Sequence, residues 1–315
     1  MNDDPLRAIA HHDGVFLYRE ALDAGYTKAA IAAMRRQGIW HRVRHGAYCF
    51  GDVWATLSAE ERHVVLARAV ARTTPGPIAF SHTTALVLHG IAVWGADLSR
   101  VHATRLDEGA YRREVDVVHH VGLCNDNDLS TAQGLPVVRP GRAVIEHASI
   151  TSTESGLVSA DNALFTQMTT PAELRDFNER FTNWPGSQPF HVVLHHMDGR
   201  AESVGETRAR HLFWRQGLPT PELQWEVHDA GRLIASTDFA WQQHRLFGEF
   251  DGRAKYLRPY HDGDDPGDVV FREKQREDLI RRLTGWRFVR FVWADLARPQ
   301  WVAAQIRQAM RDAAA

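Results

Sequence analysis

The residues of this 315-residue chain best suited to chemistry lie in STDFAWQQHRLFGEFDGRAK, 236 to 255, where Asp238, Glu249 and Asp251 stand among aromatic residues. In an extended strand alternate side chains share a face, so Glu249 and Asp251 point together while Phe250 points away. Asp238 falls in the preceding strand-like run, with Phe239 and Trp241 available to a core on the other side. Carboxylates gathered in this way repel one another unless a cation sits among them or one stays protonated. A divalent ion is the economical resolution, because Mg2+ (or Mn2+) takes hard oxygen ligands from one or two carboxylates and completes its shell with water and phosphate oxygens. The expected metal ligands are therefore Asp238, Glu249 and Asp251.

A second group of residues is basic. No acid occurs from Thr27 to Phe50, while Lys28, Arg35, Arg36, Arg42 and Arg44 all carry positive charge. The whole chain has a net charge of only −2, so a nucleic-acid reading rests on this local pattern and not on global charge. Lysine occurs only at Lys28, Lys255 and Lys274, and the last two fall near the acids, where an ammonium and a guanidinium are not interchangeable. Paired histidines at 11 and 12, 119 and 120, and 195 and 196 predict no metal site. Neighbours in a helix or strand point apart, and no cysteine or carboxylate stands at a zinc-motif spacing from them. Cys49 and Cys124 are too far apart in sequence to suggest a disulfide framework, which fits a reducing cytoplasm. The acidic N-terminus lacks an apolar export signal and no run reaches a membrane span, so neither export nor insertion is expected.

The elements that would position the basic group are short helices and a hairpin. Leu6 to His12 and Tyr18 to Ala24 read as helices, and Thr27 is placed to cap a third, Lys28 to Gln37, which Gly38 ends. IWHRVRHGAYCF, 39 to 50, reads as a hairpin turning at His45-Gly46. Helix, turn, helix and basic wing is the order of a winged helix-turn-helix, whose second helix enters the major groove while the wing touches phosphate. The plainer reading is a small helical cap with a solvated basic face. Glu60 to Arg72 predicts a further helix, and residues 56–181 read as a mixed α+β middle region. TNWPGSQPF, 182 to 190, is the expected linker.

The acids belong to a C-terminal region, 191–315, that reads as helix, three strands, helix, strand, helix. GETRARHLFWRQ carries Glu206 in its first turn, and ELQWEVHD, LIASTDFAW and RLFGEFDG form a meander with short connections.

The N-terminal segment YREALDAGYTKAAIAAMRRQGIWHRVRHGAYCF, within residues 1–55, resembles the winged-helix domain of AbiEi-type antitoxins, which are transcriptional autoregulators. The resemblance implies contact with double-stranded DNA through Lys28, Arg35, Arg36, Arg42 and Arg44. The pieces GETRARHLFWRQGLP, TDFAW, GEFDG and REKQREDLIRRLTGWRFVRF resemble the PD-(D/E)xK nucleases, in the branch related to very-short-patch repair endonucleases. That resemblance implies a restriction-endonuclease-like αβββαβ core with Glu206, Asp238, Glu249 and Asp251 at its site. Asp251 stands where the usual motif lysine would be, so Lys255 or Lys274 would have to stabilise the transferring phosphate. The fold class expected is α/β and α+β, multidomain, in a bacterial, cytoplasmic, DNA-binding protein with a metal-dependent endonuclease domain. The competing expectation is a transcriptional autoregulator or antitoxin of a type IV toxin-antitoxin system, its nuclease fold degenerate and its partner a cognate toxin.

Overall fold

The structure, a computed structural model, describes residues 5–107, 110–122, 124–182, 184, 188–252 and 266–314. Packing divides the chain into two units, Met1–Ser159 with Gln167–His196, and Ala160–Thr166 with Met197–Ala315.

The first unit begins with α1 (Pro5–Asp13), β1 (Phe16–Leu17), α2 (Tyr18–Asp23), α3 (Lys28–Arg36), β2 (Trp40–Arg44) and β3 (Ala47–Phe50). Thr27 caps α3 as expected, its hydroxyl accepting from the Ala30 amide at 3.2 Å. Gly38, at φ +72°, takes the left-handed turn that leads into β2. The three strands pair in the order β1-β3-β2, and the β2–β3 turn falls at His45-Gly46. Phe16 packs edge-on against Trp40, ring centres 4.8 Å apart, in a core with Ile31, Tyr48 and Phe50. Burying such side chains is each worth roughly 1.5–3 kcal/mol.

After α4 (Gly51–Thr56) comes α5 (Ala59–Thr73), capped by Ser58 and Glu61 in a reciprocal box. Its Val65 and Ala69 pack directly against Val15, Leu17, Ala47 and Cys49. Arg72 donates to the Val15 carbonyl at 2.7 Å and pairs with Asp13 and Glu20. A boundary at residue 55 would therefore cut through a shared core, and the expected 1–55 segment lies in one unit with residues 56–159 and 167–181.

The rest of this unit is a six-stranded sheet of β4 (Ile78–Phe80), β5 (Val101–Arg105), β6 (Arg112–Arg113), β7 (Val117–His120), β8 (Leu129–Ala132) and β9 (Leu135–Val138). Its order is β6-β7-β5-β4-β9-β8, with β5–β7 and β4–β9 parallel. Helices α6 (His82–His89), α7 (Pro140–Ile150), α8 (Thr153–Phe165), α9 (Pro171–Arg180) and α10 (Gln188–His196) accompany it. Arg142 of α7 is wholly buried, donating to Glu146 at 2.7 Å and to Asp128 at 2.9 Å. A buried guanidinium is tolerated only when its charge is matched in this way. Since α10 belongs to this unit, the division falls after His196 and not in the linker expected at 182–190.

The second unit consists of α11 (Val204–Arg215), β10 (Glu222–Asp229), β11 (Arg232–Trp241), β12 (Leu246–Asp251), α12 (Pro266–Thr284), β13 (Arg287–Val292) and α13 (Pro299–Ala314), with the end of α8. Helix, three strands, helix, strand, helix is the order read from the sequence. The sheet runs β10-β11-β12-β13, the first two pairings antiparallel and β12–β13 parallel across the α12 crossover. Phe213 stands edge-on to Phe239, Trp241 and Phe291 in one core. A Cβ on Gly205 would come within 1.9 Å of the Phe250 ring, so glycine is what lets α11 lie against β12. The other side of the sheet is also packed: Ala240 and Phe247 meet Ile280 of α12, with Trp286 and Phe288 alongside. The face that carries the carboxylates thus has apolar packing of its own.

Candidate functional site

Two groups of residues are candidates, one in each unit. In the first unit, Lys28 opens α3 and Arg35 and Arg36 close it, and all three are exposed. Arg35 lies over the Tyr48 ring with its guanidinium 5.9 Å from the centre, so it is stacked and still open to solvent. Arg42 is exposed on β2 and donates to the Arg44 carbonyl and toward His45 Nδ1 at 3.3 Å. No acid pairs with Lys28, Arg35, Arg36 or Arg42 among the described residues. Ala32, Arg35, Arg36, Gly38, Trp40, His41, Arg42, Gly51 and Trp54 line a surface recess between the end of α3 and β2. His41 stacks on Trp54, and burial together with the Arg62 charge lowers its pKa, which keeps it neutral.

Arg44 departs from the expectation. Its side chain is 11% exposed and pairs with Asp116 at 3.2 Å and Glu114 at 3.4 Å. A register shift between Arg42 and Arg44 interrupts the alternation that would put both side chains on one face, so Arg42 faces solvent while Arg44 turns to Glu114 and Asp116. A phosphate contact from Arg44 would have to displace two carboxylates.

In the second unit the structure places Asp238, Glu249 and Asp251 at one end of neighbouring strands. The β11–β12 ladder runs from Trp241↔Leu246 to Phe239↔Gly248. Beyond it the Asp238 carboxylate accepts from the Phe250 amide at 2.7 Å, taking the place of a backbone partner. Glu249, 8% exposed, accepts from Arg276 of α12 at 2.7 Å and pairs with Arg290 of β13 at 3.3 Å. Arg290 is its register partner on β13. Asp251 is half-buried at the end of β12. Glu206 is buried in the first turn of α11, where it accepts from Ser203 Oγ at 2.7 Å, the Glu202 amide at 3.0 Å and Gln224 at 3.2 Å. Gln224 in turn accepts from Ser236, whose carbonyl takes Arg276 at 2.9 Å. Glu206 and Glu249 are thus the two ends of one hydrogen-bonded chain across the sheet.

The repulsion argued from the sequence is relieved differently from the way expected. At Glu249 the cations are the guanidinium groups of Arg276 and Arg290. Sequence reasoning singled out neither, because both stand on α12 and β13 within REKQREDLIRRLTGWRFVRF, which by itself reads as an ordinary charged stretch. Lys255 lies outside the described residues. Lys274 lies on α12, and its side chain is also outside them.

A third grouping was not expected at all. The adjacent histidines do not act as pairs, but His120 of β7 comes together with His82 and His102 from two other segments.

These geometries sit in a chain whose residues 4–51 match the family described as "Transcriptional regulator, AbiEi antitoxin". The N-terminal segment is an AbiEi-type regulator domain, a class that implies DNA binding. Among particular relatives, the chain is 27% identical over 274 residues to the uncharacterized proteins MT2308 and Rv2248 of two Mycobacterium tuberculosis strains. Those alignments cover 87% of this chain and 96% of each relative. A crystal structure of the RV2827C protein from Mycobacterium tuberculosis aligns at 17% identity and a TM-score of 0.39, covering 60% of this chain and 75% of that one. No helix among the described residues is long and apolar enough to cross a membrane.

Proposed function

We propose that this protein is a DNA-binding transcriptional regulator of the antitoxin type, in which the second unit serves as a folded module and not as a cutting site. The observation that carries the reading is the exposed, acid-free set Lys28, Arg35, Arg36 and Arg42 on α3 and β2 of an AbiEi-type domain. In this reading α3 lies in the major groove of double-stranded DNA. Its middle offers Ala29, Ala32 and Ala33, small enough for close approach and for apolar contact with thymine methyls. Lys28, Arg35, Arg36 and Arg42 hold phosphates, which sets position more than sequence. The pairing of Glu249 with two guanidinium groups and the hydrogen bonding of Glu206 to protein donors support a non-catalytic second unit, since carboxylates already compensated by the protein have less need of a metal ion. A cognate toxin as partner belongs to the same proposal and would be sought by co-purification.

The second reading is a Mg2+- or Mn2+-dependent deoxyribonuclease of the PD-(D/E)xK kind. One observation favours it: the αβββαβ order with a parallel β12–β13 pair brings Asp238, Glu249 and Asp251 to one sheet end. In that reading Asp238 and Glu249 hold the ion, Asp251 shares it or orients water, and Lys255 or Lys274 meets the phosphate.

Fluorescence anisotropy of the full chain on duplex DNA tests the first reading. Lys28→Ala with Arg36→Ala should weaken binding roughly tenfold on all sequences, while Arg44→Ala should cost stability more than affinity. Unchanged affinity in the double variant would remove the interface. Plasmid nicking that requires Mg2+ or Mn2+ and disappears in Asp238→Asn would replace the first reading of the second unit with the second.

A further inference from the structure

The histidine grouping shares no residue with the basic surface or with the carboxylates. We propose that His82, His102 and His120 form a binding site for one divalent transition-metal ion of the Zn2+ kind.

The topology builds the site from three segments. His102 on β5 aligns with Val118 on the parallel strand β7, so His120 lies two residues further along on the same face. His82 follows β4, whose Phe80 pairs with Ala103 of β5, and it opens α6. Each ring offers one nitrogen, and the three atoms lie within 4.8 Å of one another. His102 Nδ1 and His120 Nε2 are 2.8 Å apart, and the His82 and His120 rings stack with centres 3.7 Å apart. Zinc–imidazole bonds of about 2.0–2.1 Å place tetrahedral ligand atoms about 3.3 Å apart. An entering ion therefore needs the 102–120 pair to open by roughly half an ångström, within the reach of small χ changes.

Four further features suit a metal. His82 Nδ1 is held by Ser81 Oγ at 3.0 Å and faces Glu146 Oε2 at 3.5 Å, the hydrogen-bonded support typical of ligating imidazoles, which leaves the other nitrogen available. Arg142, whose charge acts on His82, is offset by Glu146 and Asp128. His82 also sits at φ +52°, a costly left-handed conformation for a non-glycine residue and one that concentrates at functional positions. His82 is buried while His102 and His120 are half-buried, so the grouping has a solvent side through which an ion can enter.

The test uses the full chain stripped with a chelator. Zn2+ titration by calorimetry at neutral pH should saturate at one equivalent and raise the melting temperature by a few degrees, as expected for a ligand bound only by the folded state. His102→Ala and His120→Ala should each abolish the shift, and His11→Ala, an exposed control, should keep it. X-ray absorption at the zinc edge of the wild-type protein should count three imidazoles, a result that does not depend on any variant folding. Absence of saturable binding, retention in His102→Ala, or fewer than three imidazoles would overturn the site and leave a hydrogen-bonded histidine stack.

Discussion

Glu249 shows how a side chain singled out from sequence acquires its meaning from residues far along the chain. The acid was legible because it breaks the apolar pattern of RLFGEFDG, but its partners Arg276 and Arg290 were not, since no local rule links a strand acid to a guanidinium one helix later. The two readings of the second unit separate at this residue. If the arginines are its structural partners, Glu249→Gln removes the carboxylate that Arg276 and Arg290 share, Arg290 keeping Glu277 at 2.7 Å, and should destabilise the protein by about 1–3 kcal/mol, discounted because both arginines are about one-third exposed. The melting temperature should fall by a few degrees and be indifferent to Mg2+ in both proteins. A melt that rises in the variant, together with a Mg2+ response present only in wild type, would mark Glu249 as a metal ligand. Arg44 teaches the same lesson on the basic side: its position in the wing was legible, its pairing with Glu114 and Asp116 was not.

Elements were more legible than their partners. Thr27, Gly38 and His45-Gly46 fixed the winged-helix segment because caps and turns depend on a few local atoms. The strands β7 and β9 lie in the β-branched runs VDVVHHVG and LPVV, yet nothing in those runs tells their order in the sheet, because pairing register is set by contacts distant in sequence. That is why a three-histidine grouping spread over α6, β5 and β7 escaped a search for spaced motifs. These elements also carry a pH dependence. His102 titrates near 3 in the folded chain and His120 and His147 near 4, burial being the first cause in each. Unfolded histidine titrates near 6.5, so between about 6.5 and 4 the unfolded chain takes up protons that the folded one refuses. The stability these residues contribute is full above about pH 6.5 and is lost as pH falls through that window. Melting of the metal-free protein should drop by several degrees from pH 7 to about 5, and His147→Asn should flatten the slope. A melt insensitive to pH across this range would refute the burial argument.

At the scale of the whole molecule, composition indicated a multidomain globular chain, and its packing falls into two units whose bounds differ from those expected. The proline- and glycine-rich stretch at 182–190 looked like a linker, whereas α10 packs with the first unit and the division follows His196. Residues 160–166, the end of α8 and the residue after it, belong to the second unit, where Asp161 accepts from Thr207, Arg210 and the Asp198 amide at 2.7–2.8 Å. A linear reading has no means of assigning one helix to two units. The central claim is that the α3 and β2 surface binds the DNA backbone, and it is tested most directly by the salt dependence of duplex binding by the full chain. Each phosphate neutralised contributes about −0.9 to the slope of log affinity against log salt. The account predicts a steep negative slope in wild type that becomes shallower by about one for each of Lys28, Arg35, Arg36 and Arg42 replaced by alanine. A slope near zero, or one unchanged when all four are replaced, would contradict it.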